Sequence, residues 1–393
     1  MRAAHATLGP PVKVVLVHDW LTGMRGGERV LEELAGLFPD AELFTLIHVP
    51  GSTSPRIEAL RITASPLSRL PGAPRHYRKL LPLFPWAIER MALPPCDLVL
   101  STSHAVAKAV RPPPGALHLS YVFTPMRYVW DQADAYLGRG LRRVAAAPLA
   151  AYLRSFDRRT SGPERIHRVV AISRTIAERI RRSWNREASV VFPPVGVERF
   201  APRAAPPDDF YLVVGGFVPY KREDVALAAF AKLGRPLVVA GDGPSRRALE
   251  AAAPPNARFV GRTTDAELAD LYARCRALVY PQDEDFGIVP VECMAAGRPV
   301  IALGRGGASE TVVPLDAAGA RAPTGVWFDA QTPDALAEAV LRYEREEKSF
   351  DPRAIRRHAE SFSGDRFRRE ILAEIAAAGS EHPTAIPVHH PAQ

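Results

Sequence analysis

The run ALVYPQDEDFGIVPVECMAAGRPVIA, residues 277–302, reads as strand, loop, helix and strand in succession. Ala277 to Tyr280 has the short, continuous apolar character of a strand buried on both faces. Pro290 suits the first position of a helix, where its missing N–H is not needed. Gly297 and Pro299 end that helix, and Val300 to Ala302 opens the next strand. The loop from Pro281 to Val289 then stands at the carboxyl edge of a parallel sheet, where open α/β folds bind ligands.

The same alternation extends over the chain. Runs at Tyr211–Val214, Leu237–Ala240, Arg258–Val260 and Val326–Phe328 are further expected strands of the second half, with short helical segments between most of them. The first half opens in the same way. Val12 to Val17 is an apolar run, a Gly-containing loop follows, and Val30, Leu34 and Leu37 then mark one face of a helix. The expected class is α/β, with two doubly wound, Rossmann-like domains. A chain of 393 residues also exceeds one ordinary core. The expected boundaries are an N-terminal domain at 12–195 and a C-terminal domain at 208–350. A linker lies near Phe192–Pro207, where five prolines crowd. A charged helix at 352–378 and a disordered tail at 379–393 follow.

Composition narrows the function. The chain is 47% hydrophobic and 24% charged, as soluble globular proteins are. No apolar run reaches the roughly 18–20 residues of a membrane helix, and MRAAHATLGPP lacks the apolar core of a secretory signal. Cys96, Cys275 and Cys293 are widely spaced, which disfavours a disulfide framework or zinc site and fits a reducing cytoplasm. The formal net charge is +8. Clusters at Arg75, Arg78 and Lys79, and at Arg139, Arg142, Arg143, Arg154, Arg158 and Arg159, would attract phosphates or an anionic surface. Neither half has a G-x-G-x-x-G turn with its acidic partner, so a nicotinamide-dependent dehydrogenase is not expected. Without interleaved aromatic residues, charge alone does not make a nucleic-acid site.

The chemistry concentrates in the loop after Tyr280. Backbone N–H groups of Gly287, Ile288 and Val289 at a helix start form a phosphate cradle, and Gly287 admits close approach. Glu284 and Glu292 flank it. Carboxylates are acceptors, suited to sugar and ribose hydroxyls rather than to phosphate. Glu292 is thus expected at the ribose and Glu284 at the transferred sugar. Alternatively, Glu292 is a first-turn Glu favoured by the helix dipole and Glu284 a solvated loop charge. Asp283-Glu284-Asp285 also has the look of an Asp-x-Asp metal site, but the adjacent cradle makes a metal unnecessary and none is expected.

This segment resembles the Glu-x7-Glu motif of family four (glycosyl transferases group 1), retaining glycosyltransferases of the GT-B fold. Gly26-Gly27-Glu28 resembles the family's Gly-Gly loop, and Val218-Pro219-Tyr220-Lys221-Arg222 its basic diphosphate loop. Gly241-Asp242-Gly243-Pro244 and Gly306-Gly307-Ala308-Ser309-Glu310 resemble two further donor-domain loops. The resemblance runs from about Val12 to Phe367. Three runs, Trp20–Gly23, Ser103–Lys108 and Thr124–Asp131, resemble bacterial mannosyltransferases of O-antigen and exopolysaccharide assembly.

The resemblance implies two domains facing a cleft, acceptor on the N-terminal one and donor on the C-terminal one, with the C-terminal helix packing back on the first. It implies catalytic roles for Glu284, His104 and Lys221. Gly26, Gly27, Gly216, Arg222, Gly241, Gly261, Arg262, Phe286, Gly287, Ile288, Val289 and Glu292 would bind the donor, and Lys108, Arg127 and Asp131 the acceptor. Transfer would retain the anomeric configuration by a front-face route in which the leaving phosphate assists the acceptor's proton loss. No cofactor is implied beyond the nucleotide-sugar co-substrate, GDP-mannose first and a UDP-sugar second. The implied acceptor is a polyprenyl-linked glycan and the implied location cytoplasmic, peripheral on the inner membrane. The apolar and basic stretch Tyr77–Leu93 suits such a surface. Two departures stand out. The family's Arg five residues before the Lys is Gly216 here, and Phe123 replaces a His before Thr124-Pro125. They motivate the alternative of a nucleotide-sugar-binding scaffold subunit with weakened turnover.

Overall fold

The computed structural model describes residues 12–130, 141–317 and 321–382. The chain divides into two units, Met1–Phe192 with Phe367–Gln393, and Pro193–Arg366.

The first unit is built on β1 (Val14–Leu21), β2 (Glu42–His48), β3 (Arg61–Ala64), β4 (Leu98–Ser103), β5 (Leu117–Val122), β6 (Arg168–Ala171) and β7 (Ser189–Val190). Their order in the sheet is β3-β2-β1-β4-β5-β6-β7, and every pairing is parallel. β1 is buried at all of its positions, because it pairs with β2 on one side and β4 on the other. It therefore runs on through His18-Asp19-Trp20, past the expected end at Val17. Polar side chains inside the sheet satisfy one another, as where Ser101 Oγ stands 2.8 Å from His118 Nε2 and donates to Ser120 Oγ at 2.9 Å.

Two helices show why sequence and fold agree locally. Gly26–Leu37 turns Val30, Leu31, Leu34 and Ala35 inward. Arg174–Trp184 starts on Ser173, whose hydroxyl accepts from the Ile176 N–H, and stops at Asn185 in the left-handed conformation.

The second unit holds β8 (Tyr211–Gly216), β9 (Leu237–Asp242), β10 (Ala257–Gly261), β11 (Leu278–Tyr280), β12 (Val300–Leu303) and β13 (Gly325–Phe328). The order is β10-β9-β8-β11-β12-β13, again parallel throughout. Both sheets are thus doubly wound. Their topological switch points lie between β1 and β4 and between β8 and β11, where ligands of such sheets bind. β8 includes Gly215 and Gly216, which pair with Gly241 and Asp242 of β9, so those glycines are strand rather than loop.

Two further details differ from the sequence reading. The segment after Phe192 is tied down: the Val195 N–H donates to Phe362 O at 2.9 Å, and the Arg356 guanidinium donates to the carbonyls of Val197 and Ala295. Helix 352–378 is instead two helices, Pro352–Glu360 and Gly364–Glu381. The break turns Phe362 inward onto His358 and Phe286. From Phe367 onward the last helix packs on the first unit, Phe367 against Tyr121 and Glu374 against Arg168 at 2.7 Å. Of the expected tail, residues 383–393 lie outside the described residues.

Candidate functional site

The switch point of the second sheet assembles the predicted charges. β8 delivers the turn Pro219–Lys221, and β11 delivers Tyr280 and the loop that follows. Lys221 Nζ stands 3.0 Å from Glu284 Oε1, and Tyr280 Oη donates to Glu284 Oε2 at 2.6 Å. Burial works against the Lys221 ammonium, but Glu284 outweighs it and raises the pKa. Burial pushes the Tyr280 phenol far up, so it remains a donor. Glu284 is therefore a carboxylate oriented by an ammonium and a phenol, at only 22% side-chain exposure.

The helix Ile288–Ala295 begins beside this pair, at Gly287 with φ +80°. A Cβ at Gly287 would stand 3.1 Å from Tyr280 Oη, so both backbone and neighbour demand glycine there. The helix starts two residues before the expected Pro290, which occupies the third position, still within the turn whose N–H groups have no partner in the helix. The N–H groups of Ile288 and Val289 remain as donors that the helix itself leaves unsatisfied. Glu292 consequently sits in the second turn rather than the first. It is buried, and Tyr272 Oη donates to its Oε2 at 3.1 Å. Phe286, expected at the donor, is buried edge-on to Phe362. Its ring anchors the loop. Gly307 closes the loop from behind: its N–H donates to Glu284 O at 2.7 Å, and a Cβ there would overlap the Phe286 backbone.

The remaining donor-side residues surround this core unequally. Gly241, at φ +134°, lets Gly215 O pass where a Cβ would overlap it. Gly261, at φ +74°, ends β10. Arg262 is 86% exposed and paired with Asp242 at 3.2 Å. Arg222, expected at the donor, is engaged elsewhere in this structure. Its own φ is +58°, and its guanidinium is engaged by Asp224 at 3.0 Å and Gln331 at 3.3 Å. Gly216 itself has room, since a Cβ would meet only Asp242 O at 3.9 Å. Gly216→Arg is expected to tighten nucleotide-sugar binding about tenfold, read as a lower dissociation constant in calorimetric titration. An unchanged constant would mean that position 216 does not face the diphosphate.

The switch point of the first sheet holds a polar cluster that the sequence reading reached only at His104. Asp19 is fully buried and accepts four backbone N–H groups, from His104, Ala105, Val106 and Ala107, at 2.7–2.9 Å. Its Oδ2 lies 3.2 Å from His104 Nδ1. His18 Nδ1 bonds Thr102 Oγ1 at 2.7 Å, with His18 Nε2 3.8 Å from Glu28 Oε1. Burial lowers the His104 pKa against the pull of Asp19, which favours a neutral ring. Trp20 and Phe123 wall the imidazole, with ring centroids at 4.3 Å and 6.1 Å. Gly26 and Gly27 open the adjoining helix, and a Cβ at Gly27 would touch the Phe123 ring at 3.4 Å. Arg127 is half-buried and its charge is felt at His104.

Lys108, expected at the acceptor, is a correction. It is 1% exposed and buried against Asp157 at 3.1 Å, Thr160 Oγ1 at 3.1 Å and the Trp184 ring. Its ammonium has no face to offer. Asp131 lies outside the described residues. Among the described residues no group of three or more His, Cys, Asp or Glu is placed to hold a metal.

Residues 196–360 match the family model for glycosyl transferases group 1. The chain is 29% identical to a D-inositol 3-phosphate glycosyltransferase of Salinispora tropica, covering 65% of this chain and 61% of that protein. It is 35% identical to a GDP-mannose-dependent alpha-mannosyltransferase of Mycobacterium tuberculosis, covering 38% of this chain and 42% of that one. The chain thus spans less than two thirds of the length of these relatives. Among solved structures it resembles Anabaena HepE in complex with UDP, with a TM-score of 0.69 at 13% identity, over 93% of this chain and 100% of that chain. That likeness establishes the fold as the GT-B type, two doubly wound domains.

Proposed function

We propose that the chain is a retaining glycosyltransferase that moves a hexose from a nucleotide-diphosphate sugar to a glycan acceptor. The observation that carries this reading is the Lys221–Glu284 pair, 3.0 Å apart, at a sheet's switch point and beside the open start of a helix. Lys221 and the Ile288 and Val289 N–H groups meet the diphosphate, whose charge grows as the bond to the sugar breaks. Their charge and dipoles suffice without a metal. Glu284 faces the transferred sugar and Glu292 the ribose. His104, with Nδ1 directed to Asp19, leaves Nε2 for a sugar hydroxyl. Retention and the front-face route rest on the family resemblance.

Mannose from GDP-mannose is the proposed donor, supported by the mannosyltransferase relative and by the resemblance carried in the runs Trp20–Gly23, Ser103–Lys108 and Thr124–Asp131. The proposed acceptor is a polyprenyl-linked glycan met at the cytoplasmic face of an inner membrane. Leu83 and Trp86 support that location, being 46% and 47% exposed, with Arg90 stacked 5.0 Å over the Trp86 ring. No described helix is long and apolar enough to cross a membrane. The test is release of nucleoside diphosphate and transfer of sugar by the purified chain, with GDP-mannose, UDP-glucose and ADP-glucose each offered with polyprenyl-linked glycans. Turnover with one donor and retained configuration supports the reading. Binding without turnover favours a scaffold subunit, the alternative that Gly216 motivates.

Glu292→Ala is expected to weaken donor binding about tenfold or more while changing the turnover number little. Tyr272→Phe, which removes only the phenol partner, leaves donor affinity near the original. Equal dissociation constants for Glu292→Ala and the parent chain would remove Glu292 from the ribose site.

A further inference from the structure

Among the described residues, Glu223 is the one strongly buried carboxyl of the second unit's switch point that the proposed function does not use. It is the first residue of the helix Glu223–Leu233, directly after the left-handed Arg222, and is 2% exposed. Its Oε1 is enclosed and has no hydrogen-bond partner, and the same holds for Oε1 of fully buried Gln282. The two side chains converge with Lys221 over Gly215. A Cβ there would stand 2.9 Å from Glu223 Oε1, 3.0 Å from Gln282 Nε2 and 3.7 Å from Lys221 Cδ. The missing side chain of Gly215 is therefore the space that lets a carboxyl, an amide and an ammonium stem meet at the carboxyl end of β8.

An enclosed acceptor without a donor calls for an explanation, and a proton on the carboxyl supplies one. The charges around Glu223 point the same way. Burial raises its pKa to about 7. The residue's own backbone N–H and then Lys221 oppose that rise, while Glu284 and Asp224 add to it. Lys221 already serves Glu284, and Arg222 serves Asp224, so neither cation is left for a further carboxylate. The diphosphate of a nucleotide sugar would bring two negative charges to the same ammonium.

We propose that Glu223 is a positioning residue for the donor diphosphate that acts through Lys221 and must be neutral when the donor is bound, so that donor binding takes up a proton. The proposal rests on the donor-site reading given above. Below the carboxyl's transition Lys221 faces one carboxylate, Glu284, and admits the diphosphate. Above it the ionised Glu223 competes for the ammonium and repels the ligand. Affinity for the donor is then fully present on the acid side of neutrality and falls as pH rises. Few other groups of the unit would blur this profile. His358 is the single histidine of Pro193–Arg366, and burial holds its pKa below the ordinary value against the pull of the Thr311 carbonyl. Lys221 stays charged throughout.

The experiment is calorimetric titration of the full chain and of Glu223→Gln with GDP-mannose and with UDP-glucose, whose diphosphates do not titrate near neutrality. It runs from about pH 6 to about pH 8.5 in buffers of different ionisation enthalpy, which count protons taken up. For the parent chain the dissociation constant is expected to weaken about five- to tenfold between about pH 7 and about pH 8, with close to one proton taken up at the alkaline end. Glu223→Gln is expected to bind at all pH values as tightly as the parent does at its acid limit. A pH-independent parent, or the same slope in Glu223→Gln, overturns the role of Glu223 and leaves the donor site standing. The parent's proton count decides the matter alone should Glu223→Gln not fold. Failure of the parent chain to bind either nucleotide sugar at any pH overturns the donor-site reading and this proposal with it.

Discussion

Lys221→Met is expected to lower the rate of sugar transfer about a hundred- to a thousandfold, the usual loss when one preorganised charge facing a leaving group is removed. The ammonium stands beside Glu284 at 3.0 Å, only 16% exposed, so no solvent cation takes its place. Donor affinity should fall much less than turnover, because in the proposed site the Ile288 and Val289 N–H groups remain to meet the diphosphate. Glu284→Gln should behave in parallel. It keeps the shape that Tyr280 Oη contacts but removes the charge, lowering turnover far more than affinity. Single-turnover kinetics with saturating donor separate the two quantities. Lys221→Met working within a fewfold of the parent chain would place the chemistry elsewhere.

Asp157→Ala should destabilise the first unit by about 3–5 kcal/mol, the cost of leaving a buried charge uncompensated. Asp157 is fully buried, and its Oδ2 accepts from the indole N–H groups of Trp130 at 2.8 Å and Trp184 at 2.7 Å. Its other oxygen meets Lys108 Nζ at 3.1 Å. Burial drives the Lys108 pKa down and Asp157 pulls it back up, so the ammonium depends on its partner. One carboxylate thus ties together the segment at Trp130, the helix Leu141–Arg159 and the helix Arg174–Trp184. A thermal melt should fall by about 10 °C or more. Lys108→Met should be milder, since the two indoles continue to satisfy Asp157. A melt of Asp157→Ala within a degree or so of the parent would show that this cluster does not hold the unit together.

The second unit was more legible in the sequence than the first, for a physical reason. Its strands are continuous apolar runs separated by Gly and Pro, so β8 to β13 were each expected near their observed positions. The strand–loop–helix around Glu284 was likewise visible, as was the basic turn at Lys221. In the first unit, β5 reads LHLSYV and β1 carries His18-Asp19 in its middle. Buried polar residues of this kind break the apolar pattern, because their partners are distant in sequence, such as Thr102 for His18. The same distance hid the roles of Asp19 and Lys108. A Lys five residues after Ser103 suits an acceptor until Asp157 is seen beside it. Glu223 was hidden differently: it follows two basic residues at a helix start and resembles a favourable first-turn Glu, and only the enclosure over Gly215 sets it apart.

In the proposed function the Lys221–Glu284 switch point of the second unit holds a nucleotide-diphosphate sugar. Calorimetric titration of the chain and of Lys221→Met with GDP-mannose, at about pH 6.5 where Glu223 is mostly neutral, tests it most directly. Saturable one-to-one binding by the parent chain is expected, with a dissociation constant about tenfold weaker in Lys221→Met. Equal affinity in the two proteins would contradict it.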